Sequence, residues 1–149
     1  MEETMNVYVA SSWRNERQPE IVAALRGAAH SVYDFRNPRD SNCSFHFSNI
    51  DPKWESWTPE EYVLGLSHPI AESGFRSDME ALQWCDAVVA VQPFGRSASL
   101  ELGWACGAGK FTVLLLADGE PELMVKMCNK ICLSVEAMLE SLNEFQAGS

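Results

Sequence analysis

The stretch AVVAVQPFGRSASLELGWACGAGKFTVLLLA, residues 87–117, decides the fold. Its two ends, AVVAVQ (87–92) and FTVLLLA (111–117), are apolar runs without polar alternation. Strands of that kind are covered on both faces, which happens where helices flank a parallel sheet. Between them lies a Pro-Gly loop and then a helix built from Gly, Ala, Leu, Trp and Cys. Side chains that small let a helix pack closely.

Working outward, VYVA (7–10) and SVYDF (31–35) repeat the strand pattern, and Pro19 opens a helix in which Ile21, Leu25 and Ala28 recur at helical spacing. TPEE supplies an N-cap Thr58, a first-turn Pro59 and Glu61 in capping-box position, and His68-Pro69 ends that helix. A second helix over 70–85 is predicted to put Phe75, Met79 and Leu82 on one face. PELMVKMC (121–128), a weak strand at 130–134 and a helix at 135–145 complete the chain. The expectation is a three-layer α/β fold of repeated βα units: a flavodoxin-like or Rossmann-like, doubly wound, five-stranded parallel sheet with helices on both faces. One domain spans 1–149, with a long aromatic-rich loop insertion at 36–57.

Twenty-one acidic and eleven basic side chains give a formal charge of −10. That balance repels nucleic acid polymers and anionic membranes, so a small molecule is the expected partner. Five cysteines, Cys43, Cys85, Cys106, Cys128 and Cys132, sit mostly in apolar surroundings with no secretory segment before them, which reads as reduced and cytoplasmic. No apolar run reaches the ~18–20 residues a bilayer span needs. Cys43 with His46 and His68 lacks paired metal-ligand spacing, so no metal and no cofactor are expected. Cys106 reads as packing.

Sheets of this class bind ligands at the carboxyl ends of their strands, where strand order reverses. The loops there are SSWRNER (11–17), RNPRD (36–40) and PFGRSAS (93–99). None is a Gly-rich dinucleotide fingerprint, and GAGK closes a helix where a Walker loop would precede one. Near this rim Glu101 stands out. A capping box needs Ser, Thr, Asp or Asn three residues earlier, and that position is Ala98, with serines at 97 and 99. Asp78 lies one turn from both Phe75 and Leu82, toward the buried side of its helix, although its spacing equally suits a solvated charge. Two carboxylates at one rim suit bond cleavage at an acetal-like carbon, one attacking and one handling the proton. The helix N-terminus is expected to keep Glu101 ionised, and apolar surroundings to raise the pKa of Asp78.

The run SDMEALQWCDAVVAVQPFGRSASLELGWACGAGKFTVLLL (77–116) resembles the nucleoside 2-deoxyribosyltransferase superfamily, including its nucleoside 5′-monophosphate N-glycosidase branch. The resemblance spans about residues 6–117, and ELGWACGAGK is its specific part. It implies a nucleophilic Glu101 at C1′ and an assisting Asp78. It also implies a 5′-phosphate contact from Ser11, Ser12 and Arg14, since hydroxyls, loop N–H groups and a guanidinium grip phosphate. Asp34 is a candidate sugar-hydroxyl contact, and Gly95, Arg96, Ser97 and Ser99 replace the more usual Gly-containing loop before the glutamate. The family commonly builds sites at subunit contacts, so a homodimer or larger is expected.

A second likeness competes. ASSWRNE and VYDFRNP are similar to bacterial TIR-like proteins that cleave the nicotinamide bond of NAD. A catalytically idle nucleotide-sensing module is the third option. FHFSNIDPKWESW (45–57) bears on the choice: Phe45, Phe47, Trp54 and Trp57 either stack on a base or anchor their own loop.

Overall fold

The computed structural model describes residues 4–37 and 45–148. Five parallel strands form one sheet: β1 (Asn6–Ala10), β2 (Ser31–Asp34), β3 (Ala87–Val91), β4 (Phe111–Leu115) and β5 (Lys130–Cys132), in the order β2-β1-β3-β4-β5. The order reverses between β1 and β3, so the predicted doubly wound sheet is found and its switch point lies there. Around the sheet run α1 (Gln18–Gly27), α2 (Pro59–Leu66), α3 (Pro69–Trp84), α4 (Arg96–Gly107) and α5 (Val135–Ala147).

Alternate residues of each strand feed different cores, which is why the strands carry no polar side. Val7 and Val9 of β1, Val89 and Val91 of β3, and Val113 and Leu115 of β4 meet Ile21 and Leu25 of α1 and Met138 and Leu142 of α5. Tyr8, Val88, Ala90 and Leu114 face the other way, against Ala81 and Leu82 of α3 and Ala98, Leu102 and Ala105 of α4. Each fully buried aliphatic side chain contributes about 1.5–3 kcal/mol.

Local signals placed most boundaries. Thr58 Oγ1 accepts from the Glu61 N–H while the Glu61 carboxylate accepts from the Thr58 N–H, the reciprocal cap read from TPEE. Pro69 sits at the first position of α3, and the His68 ring accepts from the Ile70 N–H. In three places the chain departs from expectation. The β4–β5 connection holds only a 3-10 turn at Leu123–Met127, so the βα repeat is not fivefold. Phe75 is 69% exposed, because the side of α3 turned to the sheet is set by Ala71, Ala81 and Leu82. Gly103 and Gly107 meet nothing within 4 Å at the position of an added Cβ, so they make no close approach inside this chain.

The aromatic insertion packs mostly on itself and on α2 and α3. Phe47 lies against Phe45, Trp54, Trp57 and Tyr62, and the Trp57 indole donates to Asp51 at 2.8 Å. Its two anchor points are glycines: an added Cβ would meet the Trp57 ring at 2.6 Å on Gly65 and Phe45 at 2.9 Å on Gly74. Cys43 and Pro38, read within this loop, lie outside the described residues.

Candidate active site

On the α3/α4 side of the sheet two tyrosines stand side by side. Tyr8 and Tyr33 are register partners on β1 and β2, and their rings stack with centroids 5.2 Å apart and planes 17° from parallel. The hydroxyl of Tyr8 donates to the carboxylate of Glu101 on α4. That of Tyr33 donates to Asp78 Oδ1 on α3 at 2.8 Å and lies 3.1 Å from Ser77 Oγ. Two acids 23 positions apart thus hang from one pair of stacked phenols.

Position on the helix explains the electrostatics. Glu101 is the sixth residue of α4, beyond the first turn where the dipole favours an anion. Burial therefore dominates and pushes its carboxyl up to about 7, against the lowering pull of the Tyr8 hydroxyl, with the nearby charge of Asp78 adding to the rise. The expectation that the helix N-terminus keeps it fully ionised is corrected. Asp78 is also raised, first by burial, with the Tyr33 hydrogen bond opposing. Both phenols are pushed upward, chiefly by burial, so each stays protonated and able to donate.

The rim beside these acids is held by loop hydrogen bonds. Ser11 Oγ donates to the Val91 carbonyl at 3.4 Å, and Asn15 Nδ2 donates to the carbonyls of Val91 and Pro93 at 2.9 and 3.1 Å. These bonds tie the loop after β1 to the end of β3, across the switch point. Ser12 Oγ accepts from the Arg14 N–H, and the Arg14 side chain is exposed. Arg36 closes the loop from the β2 side, donating through one nitrogen to the carbonyls of Ser12, Trp13 and Asn15.

The other predicted site residues divide. Asp34 is buried, with both oxygens accepting from chain donors: Gln18 and the Arg36 N–H on one, Asn37 on the other. It organises the turn after β2 and is not presented as a sugar contact. Gly95 is the N-cap of α4, and Arg96 and Ser97, both exposed, follow it. Ser99 turns its hydroxyl back to the Gly95 carbonyl at 2.9 Å, so it serves the helix. Sequence reasoning missed Tyr8, Tyr33, Ser77 and Asn15. A tyrosine in an otherwise aliphatic buried strand was the available signal, since a buried phenol needs a partner.

Among the described residues no three of His, Cys, Asp and Glu gather to hold a metal ion. His46 and His68 instead cap the starts of short helical segments through ring nitrogens. None of the described helices is long and apolar enough to cross a membrane.

The fold is similar to that of a 2-deoxyribosyltransferase from Bacillus psychrosaccharolyticus, with a TM-score of 0.57 and 19% identity over 89% of this chain and 88% of that one. It is also similar to a CMP N-glycosidase from Clostridium botulinum, with a TM-score of 0.53 and 18% identity over 91% of this chain and 96% of that one. At these identities the likeness is one of fold. Neither a protein-family model nor a curated protein matches the sequence.

Proposed function

We propose that this chain is an enzyme that cleaves the N-glycosidic bond of a nucleoside 5′-monophosphate, with Glu101 as nucleophile at C1′. The observation that carries the reading is the meeting of Glu101 and Asp78 on the Tyr8–Tyr33 pair. Fold likeness to two proteins titled for nucleoside and nucleotide chemistry supports it.

The ionised Glu101 carboxylate attacks C1′ as the bond from C1′ to the base nitrogen breaks, through an oxocarbenium-like state. Protonated Asp78 gives its proton to the departing base, directly or through a water molecule. Water then attacks C1′, Asp78 takes back a proton, and Glu101 is released; a second base in place of water gives transfer. Tyr8 donates a hydrogen bond to Glu101 throughout and holds it in place. The 5′-phosphate is assigned to Ser12, Arg14 and the free N–H groups at the start of α4, from Gly95, Arg96 and Ser97. Ser11 supports that loop from beneath. The chemistry calls on no metal or redox group.

Self-association belongs to the same reading. Leu64 on α2, Phe75 on α3 and Leu100 on α4 are 74%, 69% and 76% exposed, and large apolar side chains left in water favour a partner surface. Light scattering is expected to give a mass above that of the 16.6 kDa chain.

Incubation with a panel of nucleoside 5′-monophosphates, nucleosides and NAD, followed by chromatography for free base, tests the assignment. Base release from a monophosphate at a rate well above that from its nucleoside supports it. Nicotinamide release from NAD alone would replace it with a TIR-like glycohydrolase, and tight nucleotide binding without turnover would leave a sensing module.

A further inference from the structure

We infer that Tyr33 is the positioning residue of Asp78, fixing through its hydroxyl which carboxylate oxygen meets the reacting molecule. The inference rests on the proposed function for its consequence and on geometry for its content. A phenol has one proton. With that proton on Asp78 Oδ1, the phenol oxygen accepts from the Ser77 hydroxyl, giving a directed chain from Ser77 through Tyr33 to Asp78. Ser77 and Asp78 are consecutive on α3, so one hydroxyl on the facing strand grips two adjacent side chains of the helix. The grip holds both the rotation of Asp78 and the seat of α3 against β2.

Among the described residues, the hydrogen bonds to the Asp78 side chain reach only Oδ1. Oδ2 is thereby left for the proton exchanged with the leaving base. The phenol is itself held by its stack on Tyr8, whose hydroxyl serves Glu101. The two acids are therefore set by one rigid aromatic pair, and their separation does not depend on the long side chain of a loop residue. The titratable groups facing Asp78 are Tyr33 from β2, Tyr8 from β1 and Glu101 from α4.

Tyr33→Phe keeps the stacked ring and removes only the hydroxyl. Carbon-13 NMR of the side-chain carboxyl, with Asp78→Asn identifying the resonance, then reads the Asp78 titration in the full-length protein. Losing a donor to the ionised form is expected to move that titration to higher pH. Ser77→Ala, which deprives the phenol oxygen of its own donor, is expected to move it the same way by less. With a substrate identified by the panel, Tyr33→Phe lowers kcat about 10- to 100-fold with KM changed little, as a misplaced proton donor would. A folded Tyr33→Phe protein with the Asp78 titration unmoved would overturn the inference; if that variant does not fold, an unmoved titration in Ser77→Ala does so. Wild-type protein that releases no base from any substrate would defeat the functional reading alone, because the titration is read without turnover.

Discussion

Glu101 shows how burial can outweigh a helix dipole. Six residues into α4 it lies beyond reach of the N-terminal charge, and the sheet it faces withdraws water, so its carboxyl titrates at about 7. Two outcomes follow. For catalysis, attack needs the carboxylate, so kcat/KM is expected to fall as pH drops below about 7, approaching tenfold per unit, which a pH–rate profile measures. For stability the folded pKa lies above the unfolded one, so the folded state binds more protons between pH 4.5 and about 7. That contribution is fully present below pH 4.5 and is lost as pH rises through 7. Glu101→Gln removes the cost of burying the charge, so at pH 8 it is expected to gain on the order of 3 kcal/mol, raising Tm by about 5 °C or more. Near pH 4 the gain should vanish, and thermal melts at the two pH values check the sign. Asn15 works by hydrogen bonding instead: Asn15→Ala leaves the Val91 and Pro93 carbonyls short of a donor and is expected to cost about 1–3 kcal/mol in denaturant unfolding.

At the scale of elements, glycines in helices separate two kinds of packing. A mid-helix Gly→Ala change normally stabilises by about 1 kcal/mol. Gly103 has open space at the Cβ position, so Gly103→Ala is expected to gain about 0.5–1 kcal/mol in urea unfolding. Gly65 has the Trp57 ring there, 2.6 Å away, so Gly65→Ala must push the indole off α2. It is expected to destabilise instead and to change tryptophan fluorescence, because the ring's bond to Asp51 goes with it. Elements with local signals were legible from sequence: the Thr58–Glu61 cap, the Pro69 start and the all-apolar strands. Phe75 misled, because hydrophobic spacing identifies a stripe but cannot choose between two stripes when small residues such as Ala71 and Ala81 take the inner one.

For the whole molecule, the parallel sheet and its switch point were legible because both faces of every central strand had to be covered. The two acids were legible one at a time, from their residue type and place on helices. What joins them was not, since Tyr8 and Tyr33 become neighbours only once β1 and β2 pair, and nothing in either strand alone announces the other. Asp34 was misjudged for the same reason: its donors, Gln18 among them, reach it through the packing of α1 on β2. The molecule therefore places two raised carboxylates on one aromatic pair beside a rim laced by Ser11, Asn15 and Arg36. The most direct test is the rate of free base release from a nucleoside 5′-monophosphate by wild-type protein and by Glu101→Gln at pH 7.5. The account predicts turnover by the wild type and a loss of about 1000-fold or more in a variant that remains folded; a variant as active as the wild type would contradict it.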